Sequence, residues 1–142
     1  MTPEQIKAIQ ESFAKVVPIS EQAAALFYGR LFEIAPETRA LFKIDIHEQA
    51  KKLMDTLGTT VEALDRFDEL LPVLANLGHK HAALGVQAYQ YEKLRAALLW
   101  AMGQALGLEF DRATRDAWDR LIATISAVML EAAAQPVEDT TR

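Results

Sequence analysis

No cysteine occurs among the 142 residues, which excludes disulfides, thiolate-held zinc and iron–sulfur clusters and agrees with a reducing compartment. Turn-formers are scarce: six glycines and five prolines stand where average usage would give roughly 17 such residues. A many-stranded β protein needs more. Positive charge is also short, since 15 Lys and Arg face 20 Asp and Glu for a formal net charge of −5, so a nucleic-acid partner has no electrostatic support. No run of 18 apolar residues occurs and no basic-then-apolar leader opens the chain, which argues against membrane spanning and secretion and for a cytoplasmic protein. The length suits one compact domain, without room for a second catalytic one.

What is present is helical. Apolar residues make up 51% and recur at steps of three and four, with no sustained alternation. Thr2, Pro3 and Gln5 supply a cap, a first-turn proline and a capping-box partner for a first helix to about Val17, with Ile6, Ile9, Phe13 and Val16 on one face. Pro18 interrupts it; Ser20 is expected to cap a second helix carrying Ala24, Phe27, Tyr28, Leu31 and Ile34 as far as Pro36, and Glu37 to Phe42 predicts a short helical corner. Asp45 with Glu48 opens the next, whose stripe is Ile46, Gln49, Leu53, Leu57, Val61 and Leu64. After an acidic linker at residues 65–68, Leu74, Leu77, His81 and Leu84 mark a helix closing at Gly85. Tyr91, Leu94, Leu98 and Met102 mark one closing at Gly107, and an Asp111 cap opens the last, with Trp118, Leu121, Ile125, Val128 and Ala132. The expectation is an all-α domain of about seven helices over residues 1–134, then a frayed polar tail over 135–142, with no internal repeat.

Tyr28, Gln49 and His81 break the apolar code, each on the buried stripe of a different helix. A buried amide or imidazole costs about 1–3 kcal/mol unless it finds a partner, and a ligand between the helices would serve all three. Taken singly, each is also what a hydrogen-bonded core residue looks like. Gln49 and Leu53 lie about 40° apart around one helix and face the same wall. His79 and His81 diverge by roughly 200° and cannot chelate one metal together. Met54, Met102 and Met129 read as core filler.

In order along the chain, Leu26-Phe27-Tyr28-Gly29-Arg30-Leu31-Phe32, Pro36, Leu41-Phe42, Gln49 with Leu53, His81 with Gly85-Val86, Tyr91 and Ala117-Trp118 resemble the bacterial single-domain globins, relatives of the globin domain of flavohemoglobins. The resemblance implies a globin fold, a helical sandwich around a heme pocket, over residues 1 to about 134. It implies heme b as cofactor, held without thioether links, with His81 as proximal iron ligand and its other ring nitrogen donating to the Leu77 carbonyl. By the same likeness Tyr91 approaches His81, Phe42 stacks on the porphyrin, and Val86, Leu94, Leu98 and Ile125 form apolar walls. Tyr28 and Gln49 become the distal hydrogen-bond pair, with Leu53 limiting access. Lys52 and Lys80 are candidates for the propionates, and His47 for a sixth ligand, against plain surface roles for all three.

The implied function is reversible binding of O2, with CO and NO as further ligands, at a five-coordinate ferrous heme. Donors of this kind are worth roughly 10- to 100-fold in O2 affinity each, so release should be slow. Storage, delivery or scavenging would follow. The enzymatic alternative is NO dioxygenation, which needs electrons from a separate reductase. Against it, register from Trp118 puts Ala133 where related globins carry a glutamate that pairs with the proximal histidine, and Glu131 falls on another face. A gas or redox sensor and a heme-free interaction module are the remaining readings, and the sequence leaves monomer and homodimer open.

Overall fold

The computed structural model describes residues 1–42 and 45–135. Its described residues form six α-helices: α1 (Pro3–Val16), α2 (Ser20–Ile34), α3 (Ile46–Glu62), α4 (Phe67–Ala83), α5 (Ala88–Leu106) and α6 (Arg112–Ala134). The corner after α2 is a 3-10 turn, Pro36–Leu41, so the seventh helix of the expectation is this tighter element. Beyond Gln135 the expected tail lies outside the described residues.

Local chemistry sets most of the boundaries. The Thr2 side chain accepts from the Gln5 backbone N–H while the Gln5 side chain accepts from Thr2, the capping box predicted for α1. Asp45 caps α3 by accepting from the His47 backbone N–H, and Asp111 caps α6 by accepting from that of Thr114. Three expectations need correction. Ser20 is the first residue of α2 and makes no capping bond, because the chain enters α2 through a 3-10 turn at Val17–Ile19. The acidic stretch after Leu64 is no linker: a 3-10 turn covers Leu64–Arg66 and α4 already begins at Phe67. Leu84, placed on the α4 stripe, is 59% exposed. The helix ends one residue earlier, and Gly85 at φ +92° turns the chain while Gly85 and Val86 N–H donate to the Ala82 and His81 carbonyls, which leaves Leu84 facing out.

α1 and α4 pack on α6, α2 packs on α5, and α3 leans on α2 and α1. Trp118 of α6 is wholly buried and its indole N–H donates to the Ser12 hydroxyl at 2.8 Å. At Gly78 α4 lies against α6 so tightly that a Cβ would collide with the Met129 carbonyl oxygen and come within 2.9 Å of its carbonyl carbon and Cα. The core falls into two clusters. The larger gathers Ile9, Phe27, Tyr28, Leu98 and Trp118; the smaller gathers Leu70, Leu74, Tyr91 and Met129; Phe67 and Ile125 border both.

Candidate functional site

His81 stands in the last turn of α4, half-buried on the side of the smaller cluster. Its Nδ1 donates to the Leu77 carbonyl at 2.8 Å, the bond expected from a residue four positions earlier on one helix face. With Nδ1 carrying the proton, Nε2 is left with a lone pair to offer. The Tyr91 ring, buried at the start of α5, sits 6.2 Å from the imidazole, and burial pushes its phenol pKa up. Val86 joins the same side as a half-buried neighbour of that cluster.

A second group of candidates is built on α2 and α3. Tyr28 is 5% exposed, and its ring lies 4.8 Å from Phe27 and 5.3 Å from Phe42, both edge-on. Phe42 ends the 3-10 corner and also meets Phe32 at 5.6 Å. The Tyr28 hydroxyl donates to the main-chain carbonyl of Gln49 at 3.3 Å, so the structure joins the pair through the backbone of α3 rather than through the Gln49 amide. Burial drives the Tyr28 phenol pKa far upward, which keeps the group a neutral donor. Gln49 and Leu53 are half-buried one turn apart on α3. Leu53 and Leu98 border an apolar void of about 10 Å³.

Phe42, Leu53, Leu94 and Ile125 all pack on the larger cluster yet keep exposed surface, while Leu98 is buried within it. The remaining candidates stand apart. His47, Lys52 and Lys80 are exposed, and His79 is half-buried. Glu131 is exposed on α6, and the described residues bring no carboxylate to the His81 ring. They also contain no group of three His, Cys, Asp or Glu side chains able to hold a metal ion. A metal at Nε2 therefore needs its other ligands supplied with it, and a planar macrocycle is the chemistry that fits one free imidazole nitrogen among apolar walls.

Two contributors were not read from the sequence. Gly78 carried a signal, because glycine inside a helix costs about 1 kcal/mol against alanine and so points to close packing. The Gln87–Gln90 capping box that starts α5 follows the same spacing rule as the one at Thr2, with a glutamine in the cap.

Comparison with known proteins gives the family. The globin family profile matches residues 25–129. A neuroglobin of Chaenocephalus aceratus is 29% identical over 128 residues, covering 80% of each chain, and a neuroglobin of Dissostichus mawsoni matches to the same extent. A flavohemoprotein of Halalkalibacterium halodurans is 27% identical over 124 residues, which cover 83% of this chain and 30% of that one. An engineered carbene transferase from Rhodothermus marinus, whose parent is provisionally named a nitric oxide dioxygenase, superposes with a TM-score of 0.85 at 24% identity over 95% of this chain and 94% of that one. The last likeness is one of fold.

Proposed function

The chain belongs to the globin family, and from that premise we propose that it holds heme b between its two core clusters and binds O2 reversibly. When bound, the heme supplies an iron that takes O2, CO or NO and can change oxidation state. The residues present fit that group. His81 would hold the iron through Nε2, with the Leu77 carbonyl fixing its tautomer and ring plane. Phe42, Val86, Leu94, Leu98 and Ile125 supply apolar walls, and Tyr91 backs the imidazole. The absence of cysteine leaves no thioether attachment, so retention rests on the imidazole and the walls. Tyr28 keeps its proton throughout the physiological range and would be the donor to a bound ligand, with Gln49 and Leu53 one turn apart on α3, the helix its hydroxyl bonds. Lys52 and Lys80 are exposed, free to reach the propionates at the rim.

The single observation carrying this reading is the oriented imidazole: one histidine whose Nδ1 is spent on a backbone carbonyl, which leaves Nε2 to offer. The test is an absorption spectrum of the purified and hemin-reconstituted chain in ferric, ferrous and O2-exposed states, with His81→Ala in parallel. A Soret band that is lost or loosened in the variant is expected. Tight hemin retention by His81→Ala overturns the ligand assignment, and a wild-type chain that takes up no hemin overturns the whole reading.

NO dioxygenation is the second reading, favoured by the 27% identity to a flavohemoprotein. The Leu77 carbonyl donates less electron density to the imidazole than a carboxylate would, which weighs toward binding over turnover. Repeated NO consumption with an added reductase would promote this reading, and a single stoichiometric reaction would sink it.

A further inference from the structure

A chain of hydrogen bonds runs from the turn that ends α4 to the corner that ends at Phe42. The Val86 N–H donates to the His81 carbonyl at 3.0 Å, and the neighbouring Gln87 N–H donates to Gln90 Oε1 at 2.8 Å. Gln90 Nε2 donates to the Tyr89 hydroxyl oxygen at 3.5 Å, and the Tyr89 hydroxyl donates to Glu37 Oε1 at 2.9 Å. The last bond spans 52 positions and joins the 3-10 corner, which packs on α2, to the first turn of α5. Burial does not explain it: Tyr89 is 51% exposed and Glu37 is exposed too, whereas Gln90 beneath them is buried. The two ends belong to different sides of the site, Phe42 packing on the larger cluster and Tyr91 and Val86 on the smaller.

We propose that Glu37 and Tyr89 form a clasp that holds the Phe42 corner to the His81 turn and so slows escape of the prosthetic group. The proposal rests on the heme reading above. Both are positioning residues: neither needs to touch the ligand, and the clasp acts by limiting how far the two sides part. A hydrogen bond to a carboxylate, discounted for solvent exposure, is worth about 3- to 10-fold in the rate of opening.

Hemin transfer from the holoprotein to excess apomyoglobin measures that rate. Tyr89→Phe and Glu37→Ala are each expected to speed hemin loss about 3- to 10-fold, and the double variant no further than either single one. Glu37→Gln keeps an acceptor oxygen and is expected to stay within about twofold of wild type, a rescue that a role for the charge alone would not produce. Single variants that lose hemin at the wild-type rate, or a double variant whose effects multiply, overturn the clasp. Hydrogen exchange of the hemin-free chain separates this from the heme reading. Amides of residues 37–41 and 88–91 are expected to lose protection together in Tyr89→Phe, and unchanged protection overturns the clasp whether or not the wild-type chain takes up hemin.

Discussion

One substitution should have opposite signs at two glycines of this chain. Gly58 in α3 and Gly78 in α4 are both interior helical positions, where alanine gains about 0.5–1 kcal/mol from the backbone entropy it removes. At Gly58 a Cβ meets only the Phe13 ring at 3.6 Å, an ordinary contact. At Gly78 it runs into the Met129 main chain, where the carbonyl carbon and Cα would be 2.9 Å away. That backbone lies inside α6 and has no rotamer with which to retreat, so the helices must part. Overpacking of this kind costs typically 1–3 kcal/mol; against main chain the upper end applies, and subtracting the propensity gain leaves a net loss of about 2 kcal/mol. For a chain of this size that corresponds to a fall in Tm of about 6–10 °C, while Gly58→Ala should raise Tm by about 2–4 °C. Circular dichroism melts of the hemin-free variants measure both. Because Leu77 and His81 ride on the same stretch of α4, Gly78→Ala should also weaken hemin retention, and Gly58→Ala should not. A Gly78→Ala protein as stable as wild type would refute the claim that α4 is seated by this contact.

Tyr28→Phe keeps its ring packing and loses a long bond to a carbonyl, so the fold should hold. A donor worth about 1.5–3 kcal/mol to a polar ligand, less about 0.5–1 for releasing Gln49, predicts O2 dissociation about 2- to 60-fold faster with CO release nearly unchanged; an unaltered O2 rate in flash photolysis would remove Tyr28 from the site. Ser12→Ala strands the indole N–H of the wholly buried Trp118 and should cost about 1–3 kcal/mol in urea unfolding, and a loss well below that would mean the indole finds another acceptor. The Asp111 carboxyl is held below its usual range by the Thr114 N–H, so its stabilisation of α6 is complete above about pH 4 and is lost as pH falls through its lower folded value. Asp111→Asn keeps an acceptor that does not titrate, and its stability should therefore decline less steeply than wild type between about pH 4 and pH 2.

How much of this was legible in the sequence follows from the range of the forces involved. Caps at Thr2, Asp45 and Asp111 and the stops at Gly85 and Gly107 depend on residues within three or four positions, and the structure has them as read. Ser20 misled because it already lies inside α2 with helical φ −59° and ψ −36°, whereas a capping side chain acts from the extended residue before the helix. Leu84 misled because period alone carries the stripe one residue past the end of α4 at Ala83, where the chain is already entering the turn at Gly85. The polar residues on apolar stripes were visible as exceptions, and the His81–Leu77 bond follows from helix geometry alone.

Contacts between distant segments were not legible, and they position the site. Nothing local to Gly78 says that it faces Met129, and nothing local to Glu37 says that it meets Tyr89. The surroundings of His81 consequently have the tighter specification. His81 is tied at its ring to Leu77, at its carbonyl to Val86, and through the seat at Gly78 to α6. Tyr28 is held by one bond of 3.3 Å to a carbonyl that its hydroxyl would have to release before serving a ligand under the proposed reading. A phenol has a single proton to donate, so under the proposed heme reading affinity would be set by the difference between two acceptors, and a stronger grip of Tyr28 on α3 is expected to lower the affinity for O2.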